Sequence, residues 1–224
     1  MNKVCFVNGS PRGKNSASKR LIDKVVEMLD KQTTQVHEIC VMESLKHNTA
    51  EKDFALMRTM NSIIFVFPLY IDAIPSSLLE YMYAFDEYLT SHPQTTECLP
   101  PRVYSIINNG FLEGTQNINA LQIMAHYAKR IGYRWRFGIG IGAGEYIKQN
   151  MDAITMNNGL NRNIFNALVK LATELESQEI IQHSNIMTNP SMPKFLYMFL
   201  ANRYWTGQSK SSRKSLCKKV WTES

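Results

Sequence analysis

The chain has 224 residues and a mass of 25.7 kDa, with 44% apolar and 20% charged residues, the composition of one globular domain able to bury a core. No apolar run approaches the ~20 residues that span a bilayer, MNKVCFVNGS lacks the zones of a signal peptide, and Cys5, Cys40, Cys98 and Cys217 form no CxxC pair. This excludes a membrane span, a disulfide framework and a structural zinc site, and a cytoplasmic location is expected. The net charge of +6 is uneven: six cations and no acid lie between Arg203 and Lys219, while residues 1–202 hold 19 cations against 18 acids.

In chain order, KVCFVN (3–8) is short, apolar and free of interior charge, which predicts a strand buried on both faces. Residues 16–30 place Leu21, Ile22, Val25, Val26 and Leu29 at helical spacing. A second strand is expected at 34–41, a polar helix at about 50–60 and the clearest buried strand at SIIFVFP (62–68). A helix at 75–89 opens on Pro75, and a fourth strand follows at 102–108. A helix over about 115–131 stops at Gly132, a fifth strand covers 135–143, and a long helix covers 158–178. The alternation predicts an α/β fold: a doubly wound five-stranded parallel sheet with helices on both faces. It occupies residues 1–180, and 181–224 form a helical and basic extension. Ligands of such sheets bind beyond the carboxyl ends of the strands, here loops 9–16, 68–75, 109–115 and 143–147.

The first of these loops lies in VCFVNGSPRGKNSASKRLID (4–23). A nucleotide P-loop requires GxxxxGK followed by Ser or Thr, but Gly9 and Gly13 enclose three residues and Asn15 follows Lys14. In a phosphatase loop five residues separate the cysteine from the arginine; six separate Cys5 from Arg12, and a mid-strand thiol is protonated. Ser10, Ser16 and Ser18 hydroxyls, the Arg12 guanidinium, the Asn15 amide and the first N–H groups of the helix suit a phosphate monoester that is held and not cleaved. The alternative is a solvated turn capped by Ser16. FPLYIDAIPSSLLEY (67–81) puts Tyr70 between two stiffening prolines, and INNGFLEG (107–114) offers Gly110 and the ring of Phe111. Both suit a flat aromatic ligand. RFGIGIGAGEY (136–146) lacks a true GxGxxG and reads as an edge strand or turn where backbone makes a close approach.

Together NGSPRGKNSAS, FPLYIDAIPSSLLEYM, NNGFLEG and GIGIGAGEYI resemble, over residues 3–175, a flavodoxin-fold NAD(P)H-dependent FMN reductase. The resemblance implies a strand order 2-1-3-4-5, bound FMN with NADPH or NADH as co-substrate, and a homo-oligomer, dimer or tetramer. It puts the FMN phosphate on Ser10, Arg12, Asn15, Ser16 and Ser18, and the isoalloxazine against Pro68, Leu69, Tyr70 and Ile71 with Asn109, Gly110 and Phe111 on its other side. Hydride would pass from the nicotinamide to the flavin and electrons on to a quinone, an azo or nitro aromatic, or a free flavin. The other reading is an FMN-binding electron carrier or sensor without NAD(P)H turnover. Relatives that carry an iron–sulfur centre have a cysteine cluster after the second strand; only Cys40 stands there, and no cluster is expected. His37, His47, His92, His126 and His183 show no constellation in the sequence, so no catalytic acid or base is named. The apolar stretch 192–205 reads as a helix ahead of a basic end, either packed and solvated or docked on a subunit or an anionic membrane surface. Nucleic acid is not expected, because the basic run has no recognition fold around it.

Overall fold

The computed structural model describes residues 1–93, 99–155, 158–177, 183–199 and 202–203. Six parallel strands form its sheet: β1 (Asn2–Asn8), β2 (Thr34–Cys40), β3 (Ser62–Pro68), β4 (Arg102–Asn108), β5 (Arg134–Ile141) and β6 (Ile186–Thr188). Their order is β2-β1-β3-β4-β5-β6. The expected five-strand order is present with one strand added: Ile139–Ile141 of β5 pair with β6, so β5 is not the edge strand that its glycines suggested.

Strand side chains alternate between two cores, as the pleat requires. On one face Val4 and Phe6, Ile64 and Val66, Tyr104 and Ile106, and Phe137 and Ile139 pack beneath two long helices. These are α1 (Ala17–Met28), contributing Leu21, Ile22 and Val25, and α7 (Arg162–Glu176), contributing Ile164, Leu168, Leu171 and Leu175. On the other face Cys5, Val7, Ile63, Phe65, Phe67, Val103 and Ile107 meet α2 (Val41–His47), α3 (Ala50–Met57), α4 (Ser76–Ser91) and α5 (Ile118–Arg130). Each fully buried Leu, Ile, Val or Phe contributes roughly 1.5–3 kcal/mol, so both faces hold the sheet strongly. Phe54 of α3 sits 4.9 Å from the Tyr81 ring and 5.3 Å from Phe85, tying α3 to α4. The short α6 (Gly144–Gln149) follows β5.

At the amino end of the sheet Arg102 binds the last turn of α7: Nη1 donates to the carbonyls of Glu174 (3.1 Å) and Ser177 (2.9 Å), and Nη2 to that of Leu175 (3.1 Å). A cation there complements the helix dipole. Beside it the buried Glu174 accepts from Arg136 Nε (3.1 Å) and Nη2 (2.8 Å). The first compact unit ends at Pro190, because β6 belongs to the sheet; a second begins at Ser191 and contains a helix, α8, over 194–199.

Candidate functional site

Asn8, fully buried at the end of β1, organises the first loop. Its Oδ1 accepts from Ser10 N and its Nδ2 donates to the Gly13 carbonyl, both at 3.1 Å. Gly13 N closes the turn onto the Ser10 carbonyl at 2.9 Å, with the positive φ of +53° that favours glycine. Ser16 caps α1: its Oγ accepts from Lys19 N at 3.0 Å and donates to the Gly13 carbonyl at 2.6 Å. Ser10 Oγ accepts from Arg12 N at 3.3 Å, and Ser18 Oγ donates to Asn108 Oδ1 at 3.4 Å. All three serines are buried and bonded within the protein, whereas Arg12 and Asn15 face solvent. Arg12 Nη1 donates to Glu145 Oε1 at 2.9 Å.

The second loop leaves β3 at Pro68 and makes a hairpin. Tyr70 N and the Ala73 carbonyl, and Ala73 N and the Tyr70 carbonyl, bond at 3.0 Å. The two turn residues, Ile71 and Asp72, have φ of +49° and +57°. That is the two-residue turn usually built from Asn and Gly. A β-branched residue held there costs on the order of 1–3 kcal/mol, and such strain gathers at functional positions. Tyr70 is 42% exposed and Ile71 fully exposed. Behind them Ile74 and Leu78 are buried and anchor the loop to α4.

The third loop is braced by the fourth. Asn109 is buried, takes Phe111 N on its Oδ1 (2.8 Å) and donates from Nδ2 to the Glu113 carbonyl (3.1 Å). The Phe111 carbonyl accepts from Ala143 N at 2.5 Å, and the Asn109 carbonyl from Gly144 N at 2.6 Å. A methyl group on Gly142 would collide with the Leu112 carbonyl, and one on Gly144 would meet Asn108 Nδ2 at 2.7 Å. The glycine-rich segment therefore supports this loop through close backbone contact, as its sequence suggested. Phe111 is 58% exposed, and Gly110 faces open space.

The loops converge. Asn8 lies opposite Val66, Pro68 opposite Asn108, and Asn108 opposite Ile141. Leu69 N donates to the Asn108 carbonyl at 2.7 Å, Ser18 reaches Asn108, and Arg12 reaches Glu145. The result is one edge where the loops after β1, β3, β4 and β5 meet, with the first turn of α1 and the Arg12 guanidinium bonded into it and Tyr70, Ile71 and Phe111 exposed on its loops. Sequence reasoning missed Asn8, Asn108 and Glu145. The two asparagines carry a signal, each closing an apolar strand with a buried amide; Glu145 carries none.

Cys5 lies in the core, where burial, reinforced by Asp53 and Glu38, pushes its thiol far above the ordinary range, as an inert core residue requires. His183 departs from the expectation that no histidine has company: its Nε2 stands 3.4 Å from Glu174 Oε2, in the cluster with Arg136 at the opposite end of the sheet. Among the described residues no three His, Cys, Asp or Glu side chains group to hold a metal ion.

A family model described as flavodoxin-like fold matches residues 2–91. Among solved structures the chain is similar to an NAD(P)H:quinone oxidoreductase from Methanothermobacter marburgensis, with 12% identity and a TM-score of 0.54 over 81% of this chain and 98% of that one. It is similar to an NADPH-quinone reductase from P. pentosaceus, with 12% identity and a TM-score of 0.52 over 80% and 99%. General stress protein 14 from Treponema denticola, solved in complex with FMN, has 13% identity and a TM-score of 0.50 over 78% and 99%. No curated protein matches the sequence. Strand order, family model and structural likeness agree, and the chain has the flavodoxin-like fold.

Proposed function

We propose that the protein is an FMN-dependent oxidoreductase that takes hydride from NADH or NADPH and passes electrons to a small acceptor. The acceptor class is a quinone, an azo or nitro aromatic, or a free flavin; the quinone reductases among the structural neighbours favour the first. The observation that carries this reading is the bonded edge: a cation and a helix N-terminus adjoin exposed aromatic and apolar groups on neighbouring strand ends. That is the donor set of a ligand with a phosphate at one end and a planar ring at the other.

FMN, when bound, supplies the redox chemistry; the protein binds, orients and shields it. The Arg12 guanidinium, the Asn15 amide and the N–H groups of the first turn of α1 hold the phosphate. Ser10, Ser16 and Ser18 shape that cradle through their own hydrogen bonds and line its floor. The strained hairpin presents Leu69, Tyr70 and Ile71 beyond Pro68 as one rigid wall, and Asn109, Gly110 and Phe111 form the other, with the room left by Gly110 admitting the ring edge. The protein works as a cytoplasmic homo-oligomer, and the work belongs to the unit that ends at Pro190 and includes β6.

Anaerobic mixing tests this. The full chain reconstituted with FMN is expected to lose its visible flavin absorbance rapidly with NADPH or NADH and to recover it with a quinone. Retained FMN that stays oxidised would make the protein a carrier or sensor, and failure to retain FMN would remove the site.

A further inference from the structure

A cavity of about 560 Å3 opens between α1 and the chain around the turn Met151–Ala153 that follows α6. Asn15 and Ser16 line it, so it adjoins the phosphate cradle, while Tyr70, Ile71 and Phe111 take no part in its walls. Its size is that of a small-molecule site and far exceeds one phosphate. Five cations and three carboxylates line it. Three of the cations are paired: Lys14 with Glu43 (3.0 Å), Lys19 with Asp23 (2.6 Å) and Glu38 (2.7 Å), and Lys24 with Glu27 (3.1 Å). The other two, the exposed Arg20 and the half-buried Lys148, have no side-chain hydrogen bond or ion pair among the described residues.

A guanidinium and an ammonium without a counter-charge suit a dianion, and a phosphate monoester gives both of them charged hydrogen bonds. The rest of the lining suits a nucleoside. The Asp152 carboxylate can accept from ribose hydroxyls, the buried Met151 offers an apolar contact, and the Arg20 guanidinium can stack on a base. On the reading given above the flavin's own phosphate is held by Arg12 and Asn15, so this ligand is a second phosphorylated nucleoside, and the co-substrate brings one. NADPH carries a 2′-phosphate on its adenosine ribose where NADH carries a hydroxyl. We propose that the cavity receives the phosphorylated adenosine of NADPH, with Arg20 and Lys148 on the phosphate and Asp152 on the ribose, so that the enzyme selects NADPH over NADH. The proposal rests on the flavin site described above. The adenylate of FAD, the other adenosine phosphate that could enter beside the cradle, has only singly charged diester phosphates and gives the two free cations no dianion.

The test is calorimetric titration of the full chain, with and without FMN, by NADP+ and NAD+, which differ only in that phosphate. NADP+ is expected to bind at least about tenfold tighter, with the advantage shrinking in high salt. R20Q and K148Q are each expected to weaken NADP+ binding by about five- to tenfold, to leave NAD+ binding within about twofold, and to change neither the thermal midpoint nor FMN affinity. K46Q, which removes a cation on α2 away from the cavity, should alter none of these. In turnover with a quinone, KM for NADPH should rise by the same factor in R20Q and K148Q while KM for NADH does not. Equal affinity for NADP+ and NAD+ overturns the proposal, as does an NADP+ advantage that R20Q and K148Q leave intact. FAD held more tightly than FMN by a factor that R20Q and K148Q abolish would make the cavity the adenylate site of the flavin, and likewise overturns it. A chain that retains no flavin yet discriminates NADP+ through Arg20 and Lys148 upholds the cavity and removes only the flavin site, so the two failures are told apart.

Discussion

Arg12 and Glu145 come from loops 133 residues apart and meet at 2.9 Å, with side chains 54% and 32% exposed. Solvent screening keeps such a pair worth only about 0.2–1 kcal/mol. If Arg12 holds a phosphate, Glu145 competes for it and its carboxylate repels the ligand's charge. Glu145→Gln should then tighten FMN binding by about two- to fivefold, the size of the lost pair. Arg12→Ala should weaken it by about tenfold, the low end for a charged hydrogen bond, since the site is open to water. Riboflavin, which lacks the phosphate, should respond to neither substitution. Fluorescence-quenching titrations of both ligands read this directly, and parallel shifts for FMN and riboflavin would remove Arg12 from the phosphate.

At the scale of elements, close backbone contact is the constraint. The loop at Asn109–Glu113 has its shape because the chain runs on from β5 into α6 through Gly142, Ala143 and Gly144, whose N–H groups donate to the carbonyls of Thr188, Phe111 and Asn109 in turn. Gly142→Ala would drive a methyl group into the Leu112 carbonyl, a backbone atom that cannot turn aside. The expected cost is about 1–3 kcal/mol in urea unfolding, as for other overpacked sites. Because the strain falls on the loop bearing Phe111, FMN and riboflavin should both bind more weakly, unlike the phosphate-specific effect at Arg12. Unchanged affinity for both would detach this loop from the ring. Much of this layout was legible. VCFV, IIFVFP and VYSII are runs free of charge and almost wholly apolar, and they lie in β1, β3 and β4 side by side. Helix α2 was not legible, because it starts at Val41 directly after the strand residue Cys40, with no glycine or proline between them. Strand β6 has three residues, too few to display a period, and only pairing with β5 defines it. The hairpin at Ile71 and Asp72 was hidden because its turn lacks the Asn and Gly that signal one. The same holds for the three serines: the sequence shows hydroxyls near an anion-binding turn but not which hydroxyls the fold itself uses.

The molecule as a whole closes both faces of one sheet, and it buries phenols in doing so. Burial pushes Tyr104 up to about 12, with Glu174 adding to the effect against Arg102 and Arg136. It pushes Tyr133 up to about 12 as well, and raises Tyr81 and Tyr127 further still. The unfolded chain releases these protons near the ordinary value of 10.0. Below that value both states keep their protons, and the tyrosines leave stability independent of pH. Above it the unfolded state ionises first, so stability falls as pH rises through about 12 for Tyr104 and Tyr133, and beyond for the other two. Urea midpoints should therefore be level up to about pH 9.5 and drop steeply above it, and the tyrosinate absorbance of these four buried phenols should appear with unfolding and not ahead of it. Tyr133 separates this cause from lysine titration, because its hydroxyl is buried with no hydrogen-bond partner among the described residues. Tyr133→Phe removes an unpaired polar atom and keeps the edge contact with Phe85, whose ring lies 6.0 Å away. It should leave neutral-pH stability equal or higher and make the alkaline fall shallower by one ionisation. A slope identical to that of the wild type would mean that this phenol already ionises in the folded protein.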